Sequence, residues 1–391
     1  MLALLAAVAG AGLFAAHYME SQGHYVTGMN NQIVWGAPHV FAVFLIVAAS
    51  GALNVASLGS VFGQDLYKPL GRLSGLLAVA LLVAGLAVLV LDLGRPDRLI
   101  VAMTYYNFKS IFAWNIFLYS GFIAVAAVYL WMMFERRMNR YARAAGTFAL
   151  VWRFVLTTGT GCIFGFLVAR QAYDAAIMAP MFVLMSLSYG TAVFLLVLVA
   201  LSAWTGRALD DAVVRRLARL NGLFVAAVLY IVLVYHLSNL YVTQHHGVER
   251  FILLDGGAIT AIFWVGQVLL GGVVPLLVFL RPAATPHSWT VAAAVLVVVG
   301  GFAQVYVIIV GGQAYPLTLF PGMEESSSFF DGVVSGYRPS LAELTLGFGG
   351  IALAALITLV GLRVLPFLPD GIGASRPAHK TDAPSLGAAG A

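Results

Sequence analysis

Ten residues, VLDLGRPDRL at 90–99, place two aspartates and two arginines together in a chain that is only 9% charged. A carboxylate beside an imidazole is an arrangement that moves protons near neutral pH. The carboxylate sets the tautomer, and the ring exchanges the proton. Asp92 is the carboxylate that invites this reading, and His39 in WGAPHV and His236 in YHLSNLY are the histidines. His236 falls about two-thirds of the way along an apolar run, where an ionisable group is expensive and faces a polar cavity when it has a function. Asn31, Trp35, Arg95, Tyr105 and Asn107 lie at the same level of the chain and supply donors and stacking surfaces. Together these residues suit the head of an amphipathic quinone, with His39, Asp92 and His236 as the catalytic proton carriers. Arg153, inside a span, and Asp174, just after one, read as points on a proton path.

Each residue also has a plainer reading. Asp92, Arg95, Asp97 and Arg98 fit a salt-bridged helix end, Trp35, Tyr105 and Tyr106 fit an interfacial aromatic belt, and His39 fits a first-turn histidine satisfied by backbone. His245 and His246 in TQHHGVER read as solvated loop residues.

The elements that must position these groups are transmembrane helices. The 391 residues are 61% hydrophobic with a mean hydropathy of +0.95, more apolar surface than a soluble domain can hide. Ten apolar runs are long enough to cross a ~30 Å hydrocarbon layer. They fall near 2–19, 37–58, 72–92, 111–134, 148–170, 180–204, 220–243, 258–280, 289–311 and 343–366. None shows the strict alternation of a lipid-facing barrel strand, so the fold class is an all-α polytopic membrane protein. The first run resembles a signal peptide in its small residues at Ala15 and Ala16, but no Lys or Arg precedes it, and it is read as a helix.

With the N-terminus in the cytoplasm, fourteen of the 21 basic residues fall on the cytoplasmic side, six on the other, and Arg153 within a span. The positive-inside rule then predicts both termini in the cytoplasm, and the candidate chemistry, Arg153 apart, collects at the outer face. The net charge of +5 is this topogenic charge and forms no basic stripe of the nucleic-acid kind. The single cysteine, Cys162, forms no disulfide framework, iron–sulfur site or zinc site by itself. A metal centre of the chain's own is therefore not expected, although one haem b on His39 or His236 stays open, and a di-haem path lacks facing histidine pairs. A transport or proton-translocating subunit is the other alternative, and it would show inverted repeats that the sequence does not display clearly.

The stretch LDLGRPDRLIVAMTYYNFKSIFAWNIFLYSGF, with NNQIVWGAPHVFAVFLIVAASGA before it, resembles the NrfD/PsrC/HybB family of membrane quinone-reactive subunits. The later stretches YHLSNLY, HHGVERFILLDGG, IIVGGQAYPLTLFPGMEESSSFFDG and YRPSLAELTLGFGG are most similar to its ten-helix branch, which holds DsrP of the DsrMKJOP sulfur-metabolism complex and HybB. The resemblance implies two four-helix bundles, at 37–170 and 171–311, flanked by a first helix with its outer loop (1–36) and a last helix (343–369). An outer, periplasmic loop at 312–342 and a disordered cytoplasmic tail at 370–391 complete the expected organisation. It also implies menaquinone or ubiquinone bound near the outer face of a bacterial inner membrane. The implied partners are a periplasmic four-cluster ferredoxin-like subunit and other membrane, cytochrome or iron–sulfur subunits. Family sites use a His and an Asn near the first core helix. His39 matches the former, and Asn31 lies just upstream.

Overall fold

The computed structural model describes residues 1–281, 287–317 and 332–368. Among them, ten helices are long and apolar enough to cross a membrane: Leu2–Gln22, Ala37–Ser60, Asp65–Leu91, Ile111–Phe134, Asn139–Gly165, Met178–Thr205, Asp211–Tyr241, Ala258–Phe279, His287–Ala314 and Leu341–Val364. They are called spans 1 to 10. The chain is a multi-pass helical membrane protein.

Most boundaries fall where local chemistry requires them. Pro38 sits in the first turn of span 2, where its missing N–H leaves nothing unpaired. Asp210 caps span 7 by accepting from the Ala212 amide at 2.8 Å. That cap starts the helix nine residues before the apolar run suggests, because RRLAR is helical although it is not lipid-like. Span 5 ends at Gly165 rather than at 170, since Gln32 and Gln313 use their backbone carbonyls to draw Arg170 into a turn. Ser340 and Glu343 form a reciprocal capping box at the start of span 10.

Span 2 is the most enclosed of the ten. It packs on spans 3, 5, 6, 9 and 10, so its register governs much of the interior. Span 1 packs on span 10, which in turn lies against spans 2 and 3. Three of these contacts are made by facing glycines: Gly12 against Gly349, Gly51 against Gly190, and Gly271 against Gly300. Lipid tails are as apolar as leucine, so helices in a bilayer gain by close backbone approach rather than by hydrophobic exclusion. At Gly51 a methyl group would overlap the Ser186 carbonyl.

Spans 8 and 9 are not uniformly α-helical. Residues Ile262–Val273 and Val307–Gly311 wind as π-helix, as does Phe251–Asp255 before span 8. A π-helical turn re-aims the side chains beyond it and frequently marks a functional segment. Nothing in the apolar pattern of these runs indicates it.

Gly51→Ala is expected to lower stability by about 2 kcal/mol, the scale of overpacking a close contact. Gly10→Ala, with open space around it, should lose none. The order of the two apparent melting temperatures in detergent checks the span 2–span 6 contact.

Candidate functional site: two carboxylate-paired histidines

The structure places His39 and His236 in two separate centres rather than one pocket. In the first, His39 Nδ1 lies 2.7 Å from Asp92 Oδ2. Neither atom is in regular hydrogen-bond geometry, so the contact is electrostatic rather than a well-formed hydrogen bond. The Asp92 side chain is fully buried, while that of His39 is 14% exposed. The Trp35 ring stacks on His39 with centroids 5.9 Å apart, and Phe112, Phe164 and Tyr173 surround the indole. Asp92 closes the end of span 3, and its backbone carbonyl meets His24 Nε2 at 3.2 Å.

Residues far apart in sequence hold this centre in place. Gln313 accepts from the amides of Val34 and Trp35 and donates to the Trp35 carbonyl at 3.0 Å. Arg170 donates to the carbonyls of Gln32 and Gln313, and burial lowers its pKa from the usual guanidinium value. The Ala37 amide donates to the Tyr337 hydroxyl, which donates to Glu343. Glu343 also accepts from the amides of Gly28 and Ser340, each at 2.7 Å. Burial, and then Glu343, push the Tyr337 phenol well above its ordinary range, so it stays a neutral donor.

In the second centre His236 Nδ1 meets Glu249 Oε2 at 2.6 Å, and Asn239 donates to Glu249 Oε1 at 2.7 Å. His245 Nδ1 continues the line at 3.2 Å from Asn239 Oδ1. His236 and Asn239 are three apart and share a helix face; Glu249, completely buried, returns from the next short helix. A cavity of about 20 Å³ adjoins His236 and is lined in part by Gln267 and Gln304. Another of about 20 Å³ continues past Gln304 to Ser188 and Tyr189. About 10–15 Å³ on this measure admits one water, so each cavity is sized for a water and not for an aromatic ring. The Ala172–Tyr173 segment stands between the two centres: Tyr173 stacks on Trp35, and Tyr235 donates to the Ala172 carbonyl at 2.6 Å.

Other candidates from the sequence lie elsewhere. Asn31 is exposed, and its neighbour Asn30 serves the turn, accepting from the amides of Gln32 and Ile33. Arg95 is exposed and donates two 3.0 Å hydrogen bonds to Asp97, which hold that carboxyl below its ordinary range. Tyr105 is 83% exposed, and Asn107 caps a turn by accepting from the Lys109 amide. Asp174 is exposed as well. Arg153 is buried, donating to the Ser50 carbonyl and to Asn54 Oδ1 at 2.9 and 2.6 Å. Sequence reasoning passed over Glu249, Asn239 and His245. The signal for them was the acid in HHGVER, which can fold back onto YHLSN. Among the described residues, no cluster of three or more His, Cys, Asp or Glu could hold a metal ion.

The fold and these centres define a class: a polytopic helical membrane protein with carboxylate-paired histidines near one end of its spans. The chain belongs to the family described as polysulphide reductase, NrfD, whose model matches residues 25–316. It is 29% identical to an Hdr-like menaquinol oxidoreductase integral membrane subunit of Archaeoglobus fulgidus, over 94% of this chain and 93% of that one. It is 28% identical to a putative dimethyl sulfoxide reductase membrane protein of Halobacterium salinarum, over 93% and 90%. A menaquinone reductase integral membrane subunit of Nitratidesulfovibrio vulgaris is 24% identical, over 92% and 90%.

Removing one partner of a buried ion pair leaves the other uncompensated, at about 3–5 kcal/mol. Glu249→Ala should therefore destabilise the chain strongly, whereas Arg95→Ala, breaking an exposed pair, should change stability by less than about 1 kcal/mol. Melting curves of the two variants in one detergent distinguish these outcomes.

Proposed function

We propose that this chain is the quinol-reactive membrane subunit of a multisubunit redox complex, with His39 and Asp92 as its proton-accepting pair. The observation that carries the reading is the state of Asp92. It is a fully buried carboxylate with no regular hydrogen bond, beside a histidine that is partly open and stacked on Trp35. A built-in anion without donors fits a ligand that brings its own hydroxyl. The relatives named for menaquinol and menaquinone support a quinone of that kind.

A quinol supplies two electrons and two protons when it is oxidised. His39 is placed to take a proton from a bound hydroxyl, and Asp92 stabilises the imidazolium that results. Trp35 and Phe112 provide flat surfaces for a ring, and the exposed apolar side chains of Ile100, Val101 and Met103 form an apolar rim suited to an isoprenoid tail. No redox metal is required of this chain if the electrons pass to a periplasmic iron–sulfur subunit, which is the partner proposed here. In this reading the site faces the outer side of a bacterial inner membrane and both termini are cytoplasmic, as the distribution of basic residues favours.

Arg153 has a different place. It bonds Ser50 and Asn54 of span 2, which lie 11 and 15 residues beyond His39. At 1.5 Å per residue this is roughly 16–22 Å along the axis. Asn54 donates onward to Thr191 at 2.9 Å, and Ser50 meets Thr157 at 2.7 Å. This interior polar line supports a proton path reaching toward the other face, and it favours a second, proton-translocating reading of the same subunit.

His39→Ala and Asp92→Asn should each lower quinol oxidation by the intact complex at least 100-fold, the scale of removing a positioned base. Electron transfer among the partner subunits, driven by a soluble donor, should stay unchanged. Wild-type quinol turnover in both variants would refute the assignment. Arg153→Gln tests the second reading: proton uptake per quinol in liposomes should fall while quinol turnover persists.

A further inference from the structure

The largest cavity lies at the end of the molecule opposite the two histidine centres, and nothing in the quinol chemistry uses it. Its volume is about 810 Å³, and it opens between the ends of spans 2, 3, 4 and 5 and the segment at 366–368. Its wall carries four cations, Lys68, Arg72, Arg140 and Arg143, and no carboxylate. Lys68 is partly neutralised by Asp65 at 2.6 Å. Arg72 is fixed in place, donating to the Met133 carbonyl at 2.8 Å and stacking over Phe134 at 4.5 Å. Arg140 and Arg143 form no ion pair among the described residues.

A second feature adjoins this cavity. A groove of about 530 Å³ runs between spans 4 and 5, lined by Ala124, Val125, Val128, Met132, Ala144 and Phe148, with Tyr141 at its end. Its lining is almost wholly apolar. The Arg140 guanidinium lies over the Tyr141 ring at 4.6 Å, so one residue pair joins the basic cavity to the apolar groove. Solvated topogenic charge accounts for exposed arginines at helix ends. It does not account for four cations converging on one concavity beside a channel for hydrocarbon.

We infer that this is a binding site for an anionic glycerophospholipid, with the phosphate in the cavity against Arg72, Arg140 and Arg143 and an acyl chain along the groove. Charge complementarity selects the headgroup, since a zwitterionic lipid would bring a cation into a wall that already holds four. Basic pockets between helix ends bind anionic headgroups by this means. The site is independent of the quinol reading, because it shares no residue with either histidine centre.

The test is native mass spectrometry of the full-length chain in detergent, titrated with phosphatidylglycerol, phosphatidylcholine or inorganic phosphate. One phosphatidylglycerol should be retained per chain in preference to phosphatidylcholine. Arg140→Gln with Arg143→Gln should bind it roughly 30-fold more weakly, two cations each contributing about a factor of five at a lipid surface. Both residues are exposed, so this variant should melt as the wild type does without added lipid. Ala144→Trp, which fills the groove, should weaken lipid retention on its own. Equal retention of the two lipids, or unchanged binding by the double variant, would overturn the proposal. So would displacement of the lipid by millimolar inorganic phosphate, because the cavity would then be an anion site without a tail.

Discussion

A carboxylate taken out of water at the edge of a bilayer must be compensated, and much of the functional end of this protein is organised around that constraint. Three acids are buried there: Asp92, Glu249 and Glu343. Glu343 is satisfied by two backbone amides and the Tyr337 hydroxyl. Glu249 is satisfied by His236 and Asn239. Asp92 has only its electrostatic contact with His39. The penalty for an anion without donors is large enough that the three acids fall into different roles. The two satisfied acids anchor chain segments, and the unsatisfied one is left with capacity for a ligand or a proton.

The anchoring matters because the chemistry sits where helices end. Trp35 and His39 follow an irregular segment that has no ladder of its own to fix it. Gln313, Arg170, Tyr337 and Glu343, from distant parts of the chain, supply its hydrogen bonds. Span 2 carries this positioning inward. Its close approach to span 6 at Gly51 and Gly190 sets the height at which Ser50 and Asn54 meet Arg153. One helix therefore bears both the histidine at the membrane boundary and the acceptors for the buried arginine.

The two histidine centres differ in a way their sequence contexts do not reveal. His39 is backed by a stacked indole and is partly open, whereas His236 lies edge-on to Phe263 beside water-sized cavities. A ring fits against the first and not into the second. The π-helical stretches of spans 8 and 9 flank the second centre, with Gln267 inside one and Gln304 just before the other. Their wider turns turn amide side chains toward an otherwise apolar interior.

The amino-acid sequence by itself determined the ten spans, their approximate ends, the class of fold and the family, because burial in lipid imposes long apolar runs and a helical backbone on any chain that crosses it. It also singled out His39, Asp92, His236 and Arg153, since ionisable groups stand out in apolar surroundings. It placed Asn31, Arg95, Tyr105, Asn107 and Asp174 beside them, and these lie in exposed turns or on the exposed surface instead. Proximity in sequence at a helix end says which membrane face a residue occupies, but not which way its side chain points. Only the tertiary structure decided that Asp92 belongs to His39 and Glu249 to His236. Those pairings depend on the rotation and height of neighbouring helices, which are set by glycine contacts and by hydrogen bonds across as many as 315 residues.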